Sequence, residues 1–187
     1  MSVRAHAEAI VAELAANSQS INDDEMAQLI AALQQAGHIF LAGAGRSGVA
    51  IAAFANRLMH LGFSVSVVGE VTAPHTRPGD LLVICSGSGE TTGLVALAQK
   101  ACQAQVKLAV ITASPSSRLA GLADYRVSLS GVASKQAAPE TRQAALQPMG
   151  SAFEQLCLVV YDALVLALMA TRAETHASMM ARHADLE

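Results

Sequence analysis

Apolar residues along this chain occur in two kinds of run. Some recur three and four positions apart over several turns, the period of a helix with one buried stripe. Others are short, continuous and closed by glycine or serine, as buried strands are. A helical pattern covers residues 3–17. A second starts behind Asn22, a good N-cap, with Glu25 three residues on as in a capping box, and stops at Gly37. From there the two patterns alternate. Strands are predicted over 38–42, 64–68, 80–85, 106–112 and 125–129. Helices are predicted over 47–61, closed by Gly62, and over 91–102; a short one follows Ser114 and Pro115, read as a cap and a first-turn proline. Residues 131–146 are small and polar and read as a loop, Pro148 opens a long apolar helix to about Thr171, and a last helix spans 174–183.

Strands alternating with helices make a parallel sheet covered on both faces, an α/β fold. No linker-like stretch divides the 187 residues, so one domain over 1–187 is expected, long enough to bury roughly 70% of its unfolded surface. Composition adds a constraint. Hydrophobic residues make up 52% and charged ones only 14%, too little charge to wet a whole monomer, so a homo-oligomer is expected. A net charge of −3 with no basic run leaves no footprint for nucleic acid. The most apolar stretch, 156–170, is interrupted by Asp162 and is shorter than a bilayer span, so a buried helix and no membrane contact are expected. Glu8 and Glu13 stand where a signal peptide needs an apolar core, and Cys85, Cys102 and Cys157 lie far apart without CxxC spacing. A cytoplasmic protein without disulfides or a zinc cluster is expected.

The strongest chemical signal is Ser86-Gly87-Ser88-Gly89-Glu90-Thr91-Thr92, between a strand and a helix. Ligands of parallel sheets bind at the carboxyl ends of strands, where a helix start offers unpaired N–H groups and a positive dipole end. Glycines let the backbone approach an anion, and four hydroxyls exceed what capping needs. The loop lacks the Gly-Lys-Ser/Thr ending of a nucleotide P-loop. A second signal, Gly43-Ala44-Gly45-Arg46-Ser47-Gly48, also joins strand to helix. It matches GxGxxG, with Glu70 near the distance of a ribose-binding acid, but that match alone is weak and a dinucleotide enzyme needs a further substrate domain. Gly45, Arg46 and Ser47 suit a phosphosugar equally well. Glu154 lies among apolar residues; partial burial would make it a stronger proton acceptor, and helping the helix dipole is an equal alternative. His183 suits proton shuttling by its residue type, against the reading of a solvated helix end. His60, His75 and His176 show no metal-ligand spacing, and Cys85 reads as a small packed residue rather than a nucleophile.

Together these residues resemble the sugar isomerase (SIS) domain. The segment 43–48 followed by Arg57-Leu58-Met59-His60-Leu61-Gly62-Phe63 is similar to its first half, and Ser86 to Thr91 to its phosphate loop. Gln147-Pro148-Met149-Gly150-Ser151, Phe153-Glu154-Gln155 and the ending Arg182-His183-Ala184-Asp185-Leu186-Glu187 are similar to the 6-phospho-3-hexuloisomerase family, which often has Asn where Asp185 stands here. The resemblance implies a three-layer αβα sandwich with a five-stranded, flavodoxin-like parallel sheet, a homotetramer, and no cofactor. It implies conversion of 3-hexulose 6-phosphate to fructose 6-phosphate through an enediol. Ser47, Ser86, Ser88 and Thr91 match phosphosugar-binding positions, with Gly45 and Arg46 beside them, and Glu154 matches the base. His183 is implied to reach a neighbouring subunit's active site.

Other readings stay open at this point. Another phosphosugar isomerase, acting on arabinose 5-phosphate or a heptulose phosphate, is one; the former usually carries CBS domains, for which the 187 residues leave no room. A regulator that only binds a phosphosugar is another, although the acidic stretch before Gly37 is too short for a helix-turn-helix domain. A structural SIS-like protein that recruits a DNA-replication partner is a third.

Overall fold

A computed structural model describes residues 2–131 and 146–186, so nearly all of the predicted loop over 131–146 lies outside the described residues. Five strands, β1 (Ile39–Gly43), β2 (Val65–Val67), β3 (Leu81–Cys85), β4 (Lys107–Thr112) and β5 (Tyr125–Ser128), run parallel in the order β2-β1-β3-β4-β5. β2 to β5 each lie within a predicted strand, and β1 runs one residue past its prediction, to Gly43. Ile39 stands beside Val65 on one side and Leu81 on the other, and Leu81 stands beside Lys107. The chain first winds outward from β1 to β2 and then returns past β1 to β3. That reversal is the topological switch point of a flavodoxin-like sheet.

Strand side chains alternate between two cores. Ile39, Leu41, Val83, Cys85 and Ile111 point to the face covered by α2 (Asp23–Gln35), α3 (Gly45–His60) and α6 (Ser151–Arg172). Phe40, Leu82, Ile84, Leu108 and Val110 point to the face covered by α4 (Thr92–Gln103) and α5 (Arg118–Leu122). Strands buried on both faces explain the unbroken apolar runs, and the result is a three-layer αβα sandwich. α1 (Val3–Ser18) packs outside on α6 and buries none of its residues fully.

α6 is the central core helix. Phe153, Leu156, Val160, Leu164 and Leu168 form one stripe against the sheet, and burying each leucine contributes roughly 1.5–3 kcal/mol. The helix exceeds the 156–170 stretch: at 22 residues and a mean hydropathy of 1.8 it is long and apolar enough to cross a membrane, but 50% of its apolar window is buried inside the fold.

Several local expectations change. Asn22 does cap α2, accepting from the N–H groups of Asp24 and Glu25. Glu25, however, does not reach back to close a capping box; its Oε2 accepts from Ser128 N at 2.7 Å and ties α2 to the end of β5. The cap of α5 is Ser117, not Ser114, because Ser114 is drawn to the loop after β3. α6 begins at Ser151, three residues after Pro148, because Met149 takes a left-handed conformation (φ 53°) and ends the preceding turn. The last helix, α7, is shorter than predicted, His176–Met180 behind the cap Thr175. Ala173, also left-handed (φ 53°), breaks the chain direction after α6 and leaves Glu174 outside.

Candidate active site

β1 and β3 are neighbours, and both glycine-rich segments leave from their carboxyl ends. The first turns immediately into α3. Gly43 and Gly48 touch backbone to backbone there: a Cβ on Gly43 would sit 2.9 Å from the Cα of Gly48. Gly45 adopts φ +58°, a conformation that favours glycine. These two requirements explain the spacing that mimics a dinucleotide fingerprint.

The second segment is a braced loop before α4. Ser86 Oγ accepts from Gly89 N at 3.2 Å and Ser88 Oγ accepts from Glu90 N at 3.3 Å. Each hydroxyl accepts from the backbone with one lone pair, which leaves its hydrogen to donate to an anion. Thr91 precedes α4 at the N-cap position but makes no side-chain cap; its hydroxyl lies 3.5 Å from Ser86 Oγ. The plain reading of these hydroxyls as helix caps therefore does not describe the loop.

Residues outside the motif hold it in place. The Gly87 carbonyl accepts from Ala113 N, Thr112 Oγ1 and Ser114 Oγ at 3.2, 3.2 and 3.0 Å. Glu90, inside the motif, turns outward to Arg118, accepting from its backbone N–H at 2.8 Å and from Nε at 2.5 Å. The Arg118 backbone N–H and guanidinium hold the Glu90 carboxyl below its usual range. Glu90 is thus a latch for the loop. Sequence reasoning missed Thr112, Ser117 and Arg118; the sole signal was their position at or just after the carboxyl end of β4, the neighbour of β3.

Glu154 enters from the first turn of α6. The turn before it is set by α1, where Glu13 accepts from Leu146 N at 2.9 Å and from the Gln147 side-chain amide at 3.0 Å. The Glu154 side chain is 18% exposed, and its Oε2 accepts from Arg46 Nε at 2.5 Å. Arg46 is 62% exposed, so this ion pair adds little to stability, on the order of 0–1 kcal/mol; what it fixes is direction. A carboxylate from α6 and a guanidinium from α3 face each other over one cavity.

That cavity has a volume of about 230 Å³. Gly45, Arg46, Ser47, Ser86, Ser88, Thr91 and Glu154 all line it, with Cys85 and Phe153 beside them. Seven of the eight predicted site residues thus converge at the switch point. His183 does not join them. It stacks on His60 with ring centroids 5.2 Å apart, at the far end of α3, whose 16 residues span roughly 24 Å. Arg182 anchors it there, donating to His60 O and to Glu174 Oε2 at 2.9 Å each. Arg182 and the Ser178 hydroxyl hold the Glu174 carboxyl down to about 2. Glu70, the candidate ribose acid, instead bonds back to Val67 N at the end of β2. Among the described residues no three His, Cys, Asp or Glu side chains are grouped to hold a metal.

Comparison with known proteins follows the same outline. The SIS domain family model matches residues 32–167, which include both glycine-rich segments and Glu154. The chain belongs to the SIS domain family. Over 178 residues this SIS protein is 39% identical to a 3-hexulose-6-phosphate isomerase of Bacillus subtilis, covering 95% of each chain. It is 38% identical to a 3-hexulose-6-phosphate isomerase of Mycobacterium gastri over 94% of this chain and 86% of that one. A crystal structure from Methanococcus jannaschii, for which the same function has been inferred, superposes with a TM-score of 0.78 at 31% identity, covering 88% and 87% of the two chains.

Proposed function

We propose that this SIS protein isomerises 3-hexulose 6-phosphate to fructose 6-phosphate. The observation that carries the reading is the pairing, in one cavity, of a hydroxyl-lined helix start with a carboxylate on the opposite wall held by Arg46. The loop over 86–91 takes the phosphate, with backbone N–H groups and the hydroxyls of Ser86, Ser88 and Thr91, and Ser47 takes a sugar hydroxyl. Glu154 removes the proton from carbon 2, giving the enediolate; a proton passes from the carbon 2 hydroxyl to the carbon 3 oxygen through the enediol, and Glu154 returns its proton at carbon 3. Arg46, a donor without acceptors, steadies negative charge on the oxygens between which the carbonyl moves. Relatives named for this reaction at 38–39% identity support the substrate.

The direct test is turnover of synthetic 3-hexulose 6-phosphate by purified protein, with fructose 6-phosphate appearing without added cofactor. Turnover of a different phosphosugar would reassign the substrate. Tight binding of a phosphosugar with no turnover of any would make the chain a regulator.

The same reading includes assembly and location. Val3 and Val11 on α1 and Leu158, Val159 and Leu166 on α6 expose apolar side chains, on two helices that pack against each other. This supports a homotetramer, and a role for His183 in catalysis then requires the tail of another copy. Light scattering at micromolar concentration is expected to give four times the chain mass of 19.3 kDa. A stable monomer would remove His183 from the chemistry. Free thiols at Cys85, Cys102 and Cys157 suit the cytoplasm.

A further inference from the structure

Two thiols meet under the floor of the pocket. Cys85 ends β3 and lines the cavity, directly before Ser86. Cys157 lies behind it on α6, one turn beyond Glu154. The Cys85 thiol donates to Cys157 Sγ across 3.7 Å. A disulfide holds its sulfurs ~2.05 Å apart, so less than ~2 Å of approach separates this pair from a bond. Neither residue has surface open to solvent at rest (0% each). The Tyr161 hydroxyl is buried beside both sulfurs without an oxygen or nitrogen partner, and its ring is stacked on Phe54 at 4.8 Å.

We propose that Cys85 and Cys157 are a redox-sensitive modification site, in which hydrogen peroxide admitted through the substrate pocket links the pair and lowers turnover.

The two sulfurs differ in the way such a site requires. Cys85, closed to solvent at rest, borders the cavity, and Cys157 does not border it. When Cys85 ionises, the hydrogen bond reverses and the Cys157 thiol donates to the thiolate. That bond, with help from the Tyr161 and Ser47 hydroxyls, lowers the Cys85 thiol against its burial and the charge of Glu154. Burial pushes the Cys157 thiol up. The more acidic thiol and the wall of the cavity thus fall on the same residue.

In the first step the Cys85 sulfur attacks one peroxide oxygen. The O–O bond breaks, Cys85 becomes a sulfenic acid, and the other oxygen leaves as water with the thiol's proton. In the second step the Cys157 sulfur attacks the Cys85 sulfur. The S–S bond forms, the S–O bond breaks, and a second water leaves with the Cys157 proton. Two thiols give up two electrons and two protons to one peroxide. Drawing the sulfurs together moves the α6 turn that carries Glu154 against the strand end that carries the phosphate loop. Reacting groups tolerate such displacement poorly: about 1 Å costs on the order of a hundredfold.

The loss of turnover rests on the isomerase reading, whereas bond formation does not. The experiment uses the full chain carrying Cys102→Ser, because Cys102 is exposed and would link copies to one another. Under hydrogen peroxide the intact mass is expected to fall by two hydrogens, with one linked peptide holding Cys85 and Cys157. Turnover falls roughly ten- to hundredfold, dithiothreitol restores it, and saturating fructose 6-phosphate slows the reaction by covering Cys85. With Cys157→Ala added, and activity normalised to that variant's own reduced form, the reversible loss disappears and Cys85 proceeds to sulfinic acid. Cys157→Ser repeats the test if alanine unfolds the helix. Absence of the linked peptide overturns the proposal, as does a full disulfide with unchanged turnover or an equal reversible loss in the Cys157 variants. A protein that never turns over a phosphosugar would sink the isomerase reading, while the mass and protection data still decide the thiol chemistry.

Discussion

Glu154→Gln is expected to lower kcat roughly a hundred- to ten-thousand-fold, the usual span of a general-base contribution, while the substrate still binds. The substitution keeps the shape and removes the basic oxygen. It also removes the charge that Arg46 faces, but that ion pair is 62% exposed on the arginine side, so the fold is expected to survive with an unchanged melting midpoint. A second measurement separates the base from a mere helix-dipole acid. Run from fructose 6-phosphate in deuterium oxide, the native protein exchanges the hydrogen on carbon 3, and Glu154→Gln is expected to lose that exchange in parallel with turnover. A first-turn acid that only favours its helix would lower stability by a few tenths to one kcal/mol and leave exchange intact. If Glu154→Gln keeps most of its activity and His183→Ala abolishes it, the base is His183 from another copy.

Gly89→Ala is expected to raise KM tenfold or more, or to abolish turnover, and to lower the melting midpoint as well. Gly89 sits at φ +63°, where a side chain strains the backbone by roughly 1–3 kcal/mol. A Cβ there would also overlap both Oγ and Cβ of Ser117, the residue that caps α5. The loop must move away from β4 and α5, and the N–H groups that define the phosphate site move with it; each 1.4 kcal/mol of lost binding is about tenfold in affinity. Ser86→Ala combined with Ser88→Ala is the complementary test, because it removes hydroxyl donors without forcing the backbone. Hydrogen bonds to charged groups contribute about 1.5–3 kcal/mol each, so a large rise in KM is expected, with a smaller loss of melting midpoint than in Gly89→Ala, from the two loop braces removed. An unchanged KM in the double variant would remove the phosphate from this loop.

All five strands were legible along the chain: β1, β3 and β4 because burial on both faces of a parallel sheet leaves continuous apolar runs, and the half-buried edge strands β2 and β5 by their β-branched and aromatic residues between turns. Both glycine segments were legible for a related reason: backbone contact between Gly43 and Gly48 and left-handed conformations at Gly45 and Gly89 exclude most other residues. Which partners those segments acquire was not legible. Arg46 meets Glu154 across 108 positions, Cys85 meets Cys157 across 72, and Glu90 turns away from the pocket to Arg118 across 28. Local pattern records only how often a residue faces the core. It does not record which helix covers which strand, and a Ser or Glu satisfied by its neighbours reads the same as one satisfied by a distant element. The misplaced cap is an example: Ser114 and Ser117 are equally good cap residues, and the choice fell to the Gly87 carbonyl, which took Ser114. Sequence determined the fold, and marked the loop proposed for the anion and the acid proposed as base, by chemistry within a few residues of each. The order β2-β1-β3, which lays the ends of β1 and β3 side by side, and the packing of α6 over them decided that these pieces share one cavity and that His183, about a full helix length away in its own chain, does not.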